Sequence, residues 1–383
     1  MKLLIVSLDA YSLFDTSTQF VFGGAELRAS LFAKALAKFP NTEVIVATRD
    51  HARKKQVLEG VKVVPFHGKK GKGYWEKQQQ LRTRLKNRLL GKNEEASDSF
   101  SFFEKIHPTH LLVLGMSQEA VEALAYCQKT TIPFIFGCAS DVDLSEIYLE
   151  KNAVDISGNK ADGYADVIRN ASLVLVQSQQ QEEWLEKRFG RKGILIQNPI
   201  SPDFPKGISP VKTKSDVLWI GKTTALKRPE LLFELARLLP DLKFRMIMNN
   251  TDEKRWKQLL AEQPANIEII ESVPAASVEF YFQHTRLFVN TSFAEGFPNT
   301  FLQAGKYGIP IISMQADPNH LLSEKGGGMV TGEKISDLKD AVTELLQHEL
   351  KYKECSEHIR KYVEENHQLE KVVKQLYDAM KQQ

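Results

Sequence analysis

Short apolar runs alternate with amphipathic stretches along almost the whole chain. That pattern predicts α/β architecture, with parallel sheets covered by helices on both faces. In the first half the apolar runs predict strands near 2–8, 43–48, 61–66, 110–115, 132–136, 173–177 and 193–196. Helical spacing is clearest over 24–38, 117–128 and 178–188. The alternation stops at Asn198-Pro199-Ile200-Ser201-Pro202-Asp203-Phe204-Pro205, a proline-rich piece that runs to about 211 and reads as a linker. A second series follows, with strands near 216–220, 243–248, 267–270, 286–290, 310–313 and 328–330. Its helices are expected at 228–238, 252–262, 275–283, 299–307 and 335–347, and one long helix over about 351–378 comes last. The economical architecture is two Rossmann-like domains facing a cleft, over 1–200 and 212–350. No repeat of 20 to 50 residues is visible, which argues against a solenoid.

Bulk numbers change this picture little. A chain of 383 residues exceeds one typical core, and 42% hydrophobic with 26% charged residues is ordinary globular composition. A net charge of +3 is too small to argue for nucleic acid, so any anion site must be local. Cys127, Cys138 and Cys355 show no zinc-like or redox spacing, which suits reduced thiols in a cytoplasmic setting. The opening Met1-Lys2-Leu3-Leu4-Ile5-Val6-Ser7-Leu8 is too short for a signal peptide, is interrupted by Asp9, and reads as a buried strand. No window reaches the ~18 to 20 apolar residues of a membrane span.

Residues 68–92 stand apart. Lys69, Lys70, Lys72, Lys77, Arg82, Arg84, Lys86, Arg88 and Lys92 are opposed there only by Glu76, with Trp75 and several leucines interleaved. Leu81, Leu85 and Leu89 share a helix face by their spacing. Two readings stay open: an interfacial helix meeting anionic lipid or an anionic acceptor, or a solvated basic helix packing one leucine edge on its own domain.

Three segments could carry chemistry. Gly23-Gly24-Ala25-Glu26 opens the first helix, where adjacent glycines permit close backbone approach and the helix N-terminus favours an anion. No G-x-G-x-x-G follows the first strand, which argues against a dinucleotide redox enzyme. After the strand Asp216-Val217-Leu218-Trp219-Ile220 comes Gly221-Lys222-Thr223-Thr224-Ala225-Leu226-Lys227-Arg228-Pro229-Glu230. It is not a Walker loop, because position 216 is aspartate, but two lysines five residues apart suit a diphosphate. Finally, Glu295-Gly296-Phe297-Pro298-Asn299-Thr300-Phe301-Leu302-Gln303-Ala304 joins a strand to a helix, with Glu295 at the loop entrance and Gln303 one turn beyond Asn299. Each alone is compatible with an ordinary surface loop. Together Lys222, Lys227, Glu295 and Gln303 lie at carboxyl ends of strands in one sheet, where open α/β sheets bind ligands. A diphosphate clamp beside a hydroxyl-binding loop describes a nucleotide-sugar site.

In these residues the chain resembles a GT-B glycosyltransferase of the large retaining family 4 type, the glycosyl transferases group 1. The resemblance extends through Gly23 to Glu26, Val176-Gln177-Ser178, Ile196-Gln197-Asn198-Pro199-Ile200, Gly221 to Glu230 and Glu295 to Ala304. It implies a donor-binding second domain, an acceptor-binding first domain and a final helix, about 360–383, packing back on the first. It implies Lys222 and Lys227 on the donor diphosphate, with Gly23 and Gly24 approaching from the opposite domain. Glu295 would contact the sugar, the N–H groups of Gly296, Phe297, Pro298 and Asn299 would hold sugar and phosphate, and Gln303 would face the ribose. Three departures stand out. Gln303 replaces the usual glutamate and bears on donor affinity or identity more than on the reaction. Lys222 replaces an arginine, keeping charge without bidentate geometry. Gly137-Cys138-Ala139-Ser140-Asp141-Val142-Asp143 offers no histidine, leaving Asp141 either as the polar group under the sugar or as a turn residue.

The expected activity is hexosyl transfer from a UDP- or GDP-type sugar to a hydroxyl acceptor, lipid-linked acceptors included, with retention, in polysaccharide, glycolipid or glycoprotein synthesis of the cell-envelope kind. Lysines and helix N-termini would stabilise the leaving diphosphate, with no metal and no other cofactor expected. Asp141-Val142-Asp143 matches D-x-D, but by the resemblance it falls in the acceptor half and reads as coincidence. The catalytic candidates are Glu295, Lys227 and Asp141; the acceptor or membrane candidates are Lys69, Lys70, Lys72, Trp75, Arg82 and Arg84. The expected place is the cytoplasm, extending to peripheral contact with the inner face of the membrane. Alternatives are a non-catalytic nucleotide-sugar-binding partner subunit and a GT-B-like epimerase, although only His284 lies near a motif to serve epimerase acid–base chemistry. Nucleic-acid binding through 68–92 is disfavoured by the near-neutral charge.

If the basic segment meets membranes, the protein pellets with liposomes containing anionic lipid and not with neutral ones. Charge reversal across 69–92 then abolishes pelleting; equal pelleting after reversal would remove the membrane reading.

Overall fold

The structure, a computed structural model, describes residues 1–18, 21–49, 56–66, 98–155, 158–201 and 215–383. The basic segment 68–92 and all its candidates, Lys69 to Arg84, lie outside the described residues, as does 202–214 of the proline-rich connection.

The first sheet contains β1 (Lys2–Val6), β2 (Glu43–Thr48), β3 (Gln56–Leu58), β4 (Val61–Pro65), β5 (His110–Leu114), β6 (Phe134–Gly137), β7 (Leu173–Val176) and β8 (Ile194–Leu195). Its order is 3-4-2-1-5-6-7-8, parallel except where β3 turns back on β4. The second contains β9 (Ser215–Lys222), β10 (Phe244–Asn249), β11 (Ile267–Ile270), β12 (Thr285–Asn290), β13 (Ile311–Ser313) and β14 (Gly328–Val330), ordered 11-10-9-12-13-14 and parallel. Helices flank both: α1 (Gly24–Leu36), α2 (Asp98–Ile106), α3 (Gln118–Thr130), α4 (Tyr164–Asn170), α5 (Gln179–Phe189), α6 (Pro229–Leu238), α7 (Glu253–Ala261), α8 (Val278–Phe282), α9 (Asn299–Lys306), α10 (Ile335–Gln347), α11 (Glu349–Asn366) and α12 (Leu369–Lys381). Edge strand β3 escapes the apolar pattern, because Val57 stays 71% exposed.

Parallel strands here are apolar on both faces because helices cover both. In β1, Leu4 and Val6 join the core under α2 and α3, while Leu3 and Ile5 join the core under α1. Full burial of each such side chain contributes ~1.5 to 3 kcal/mol. Ser117 and Ser178 start α3 and α5 by accepting the N–H of Ala120 and Gln181, and Pro229 opens α6.

The chain's final stretch corrects one expectation. In place of one helix over 351–378 there are two, broken at His367-Gln368. Helix α11 packs Ile359 and Val363 against the second sheet's core, while α12 buries Val372, Val373, Leu376 and Met380 in the first. At the crossing, the His367 carbonyl accepts the Ile200 N–H (2.9 Å), so the returning chain pairs with the outgoing one. The His367 ring is fully buried, its Nδ1–H donating to the Asn198 carbonyl at 2.7 Å. No Pro or Gly marks this break in sequence, because its cause is a partner 169 residues away.

Burial lowers the pKa of His367 from 6.5 to about 4, so the ring is neutral in the fold. Its contribution is fully present above pH 6.5 and is lost as pH falls toward 4, where the unfolded chain gains a proton that the fold excludes; the limit is about 3 kcal/mol. Asp141, raised from 3.8 to about 7, opposes this: its favourable contribution is present below 3.8 and fades as pH rises through 7. The difference between wild type and His367→Phe therefore isolates the histidine. Thermal unfolding from pH 7.5 to 4.5 should show a smaller loss in the variant; identical slopes would show that His367 titrates alike folded and unfolded.

Candidate functional site

The carboxyl ends of β9 and β12 and the N-terminus of α1 border one cleft of about 670 Å³. Lys222 ends β9, and Lys227 sits in the loop before α6. That loop is fixed from below. Trp219 Nε1 donates to Thr291 Oγ1 (2.9 Å), Thr291 Oγ1 donates to the Lys227 carbonyl (2.7 Å), and Arg228 Nε donates to the Thr291 carbonyl (2.6 Å). Thr291 is fully buried, so the backbone of Lys227 is set while its ammonium reaches the cleft.

Glu295 pairs with Lys227 through Oε1 and Nζ, with the Asn290 amide at 3.5 Å. Its side chain is 13% exposed, that of Lys227 24%. Beyond it, α9 opens at Asn299, where the Phe301 N–H already donates to the Pro298 carbonyl at 3.0 Å, leaving the N–H groups of Asn299 and Thr300 as the first-turn donors at the cleft. From the opposite side α1 opens at Gly24 after Gly23, whose N–H is taken by the Glu26 carboxylate at 2.7 Å. A Cβ on Gly23 would lie 3.0 Å from the Lys222 ammonium, so glycine permits the lysine of one domain to approach the backbone of the other. Two helix N-termini and two lysines thus converge on a cleft that also holds the Glu26 and Glu295 carboxylates, with Lys222 as its cation without an ion pair among the described residues. The lining also includes the apolar side chains of Phe22, Leu27, Ile247, Val273 and Val278, and Gln303 of α9.

The structure therefore brings Gly23, Gly24, Lys222, Lys227, Glu295, Gly296, Phe297, Pro298, Asn299 and Gln303 to one cleft. It differs from expectation at three points. The Phe297 N–H is not open to a ligand, because Gln177 Oε1 accepts it at 2.7 Å. Pro298 has no N–H to offer and stands just ahead of α9. Asp141 does not line the cleft; its carboxylate accepts Gln181 Nε2 at 2.9 Å, and its N–H donates to the Glu295 carbonyl at 3.1 Å. Burial raises Asp141 to about 7, aided by the charges of Glu295 and Asp143 against the Gln181 hydrogen bond. Asp143 has a local task, accepting the N–H groups of Ala139 (2.6 Å), Ser140 (3.0 Å) and Met116 (3.1 Å).

Sequence reasoning gave no role to Gln177, Gln181 and Asn198, whose amides meet the Glu295–Phe297 segment or its neighbours. Their signal was faint: Gln177 and Asn198 sit in matched motifs but look like loop residues.

Residues 202–362 match the protein family described as glycosyl transferases group 1. An uncharacterized glycosyltransferase of Haemophilus influenzae is 21% identical over 248 residues, covering 61% of this chain and 69% of its own length. Among solved structures, sucrose-phosphate synthase from Thermosynechococcus elongatus superposes over 100% of this chain and 98% of its own, with TM-score 0.75 and 12% identity. HepE of Anabaena, solved with UDP and glucose, covers 100% of both chains with TM-score 0.72 and 14% identity. The chain is thus built as a GT-B glycosyltransferase is, with the glycosyl transferases group 1 family matching its second sheet and the helices around it.

Proposed function

We propose that this protein transfers a sugar, a hexose in particular, from a nucleoside-diphosphate sugar to a hydroxyl acceptor with retention of anomeric configuration. The observation that carries the reading is the convergence of Lys222, Lys227 and the N-termini of α1 and α9 on one cleft between the two sheets. Such a site holds a diphosphate and stabilises the charge that grows on it as the glycosidic bond breaks. The apolar lining residues Phe22, Val273 and Val278 suit the nucleoside, and Gln303 in the same cleft is assigned to the ribose. That HepE was solved with UDP and glucose favours UDP as the carrier.

Glu295 is assigned to the sugar hydroxyls, and Lys227 to the phosphate. In the structure these two neutralise each other, so a donor diphosphate would draw the ammonium away and leave the carboxylate to orient the sugar. Asp141, behind Gln181, is assigned an indirect electrostatic part through Glu295. The acceptor would enter from the first domain, and closure of the cleft would limit hydrolysis. A cytoplasmic role in cell-envelope polysaccharide or glycolipid synthesis follows the same reading. No helix among the described residues is long and apolar enough to cross a membrane.

A thermal-shift screen against UDP, GDP, ADP and CMP conjugates tests this, followed by release of free nucleotide with and without hydroxyl acceptors. In calorimetry with the best ligand, Lys227→Ala should weaken binding more than tenfold, the ~1.4 kcal/mol of one charge-assisted phosphate contact. Unchanged affinity would remove the diphosphate assignment, and donor binding without transfer to any acceptor would leave a binding protein.

A further inference from the structure

The loop that carries Glu295 belongs to the second domain by sequence, yet its backbone is held by the first. The Glu295 carbonyl accepts the Asp141 N–H at 3.1 Å. The Phe297 N–H donates to Gln177 Oε1, and the Phe297 carbonyl accepts Asn198 Nδ2, both at 2.7 Å. Two residues on, Asn299 Nδ2 donates to the Gly24 carbonyl at 2.9 Å. Between these contacts Gly296 leaves no space: a Cβ there would lie 2.3 Å from Gln177 Oε1 and 3.1 Å from the Ala139 carbonyl. The glycine of this loop is thus required by the facing domain.

The groups that grip the loop are themselves fixed. Gln177 and Asn198 are each 2% exposed. Gln177 Nε2 donates to the Cys138 carbonyl (2.7 Å), and its backbone N–H donates to Gln181 Oε1 (2.9 Å). Arg28, fully buried on α1, donates from Nη1 to the same Cys138 carbonyl (2.9 Å) and from Nη2 to the Ile196 carbonyl (2.7 Å). One guanidinium therefore holds the carbonyl that anchors the Gln177 amide and the segment that carries Asn198. This buried cation has no carboxylate partner among the described residues, only these carbonyls and the Phe32 ring 5.1 Å away, so its burial is costly.

We propose that Gln177 and Asn198 are positioning residues: by holding the Phe297 peptide they aim Glu295, so the sugar-orienting loop is complete only when the first domain is seated on it. Nucleotide binding draws on Lys222, Lys227 and the N-terminus of α1 from outside this loop, and on the N-terminus of α9 that adjoins it, so it depends on that alignment only in part. The inference rests on the transfer reading above for the role of Glu295, and on the hydrogen bonds alone for the grip.

The test uses full-length Gln177→Met, which keeps volume and loses both amide bonds, Asn198→Asp, which sets an oxygen against the Phe297 carbonyl, and Gln177→Glu, which keeps an acceptor for the Phe297 N–H. Hydrogen exchange across Glu295–Phe301 should quicken about tenfold or more in the first two variants. Turnover of the donor used by the wild type should fall about 10- to 100-fold in kcat, with UDP affinity and donor KM changing by less than about fivefold and Gln177→Glu recovering part of the loss. Unchanged loop exchange would overturn the grip. Faster exchange at unchanged kcat would overturn the positioning role, as would UDP affinity falling in step with kcat. If Gln177→Met fails to fold, Asn198→Asp carries the same comparison. Should the wild type transfer no sugar, the transfer reading fails by itself and loop exchange still decides the grip.

Discussion

The geometry of this molecule depends on one buried junction, where the chain passes from the first sheet to the second and later returns. There the Ile200 N–H meets the His367 carbonyl, and the neutral His367 ring bonds the Asn198 carbonyl. The Phe297 ring lies 4.6 Å from that imidazole and stacks on Tyr362 at 6.4 Å. The residue that follows Glu295 and Gly296 is therefore part of the crossing itself. A charged imidazole here would be fully buried with its Nε2 lacking an acceptor, a desolvation cost that the one Asn198 carbonyl only partly offsets, so neutrality is a condition of the packing.

This arrangement explains why a cleft between two open sheets can be chemically exacting. Lysines and helix N-termini need only be near a diphosphate, because charge attraction falls off slowly inside a partly desolvated site. A sugar hydroxyl must be met within a few tenths of an ångström, and a loop free to move cannot do that. The second domain provides Glu295; the first supplies the restraint on its backbone.

What the sequence made legible follows from range. Strands buried on both faces announce themselves as apolar runs, and the loops at their carboxyl ends led directly to Lys222, Lys227, Glu295 and Gln303. Edge strand β3 was lost because only one turn of chain and a half-covered leucine specify it. The break at His367 and the amide partners of Phe297 were lost for another reason. Their causes lie 99 to 169 residues away, and a glutamine or asparagine beside a strand end looks the same whether it faces water or a distant peptide. Asp141 shows the converse: its place after β6 suggested the cleft, but Gln181 draws its carboxylate aside.

Helix α12 has a consequence for the order of assembly. Met380 and Leu376 complete the same core as Leu3 and Ile5, and the Met380 carbonyl lies 3.3 Å from His110 on β5. The first sheet is made before the second, yet the face it shares with α1 stays only partly covered until residues 369–381 are made. The nascent first domain keeps part of that apolar face exposed through the synthesis of the second. The segment that ties the two halves together is made after both of them.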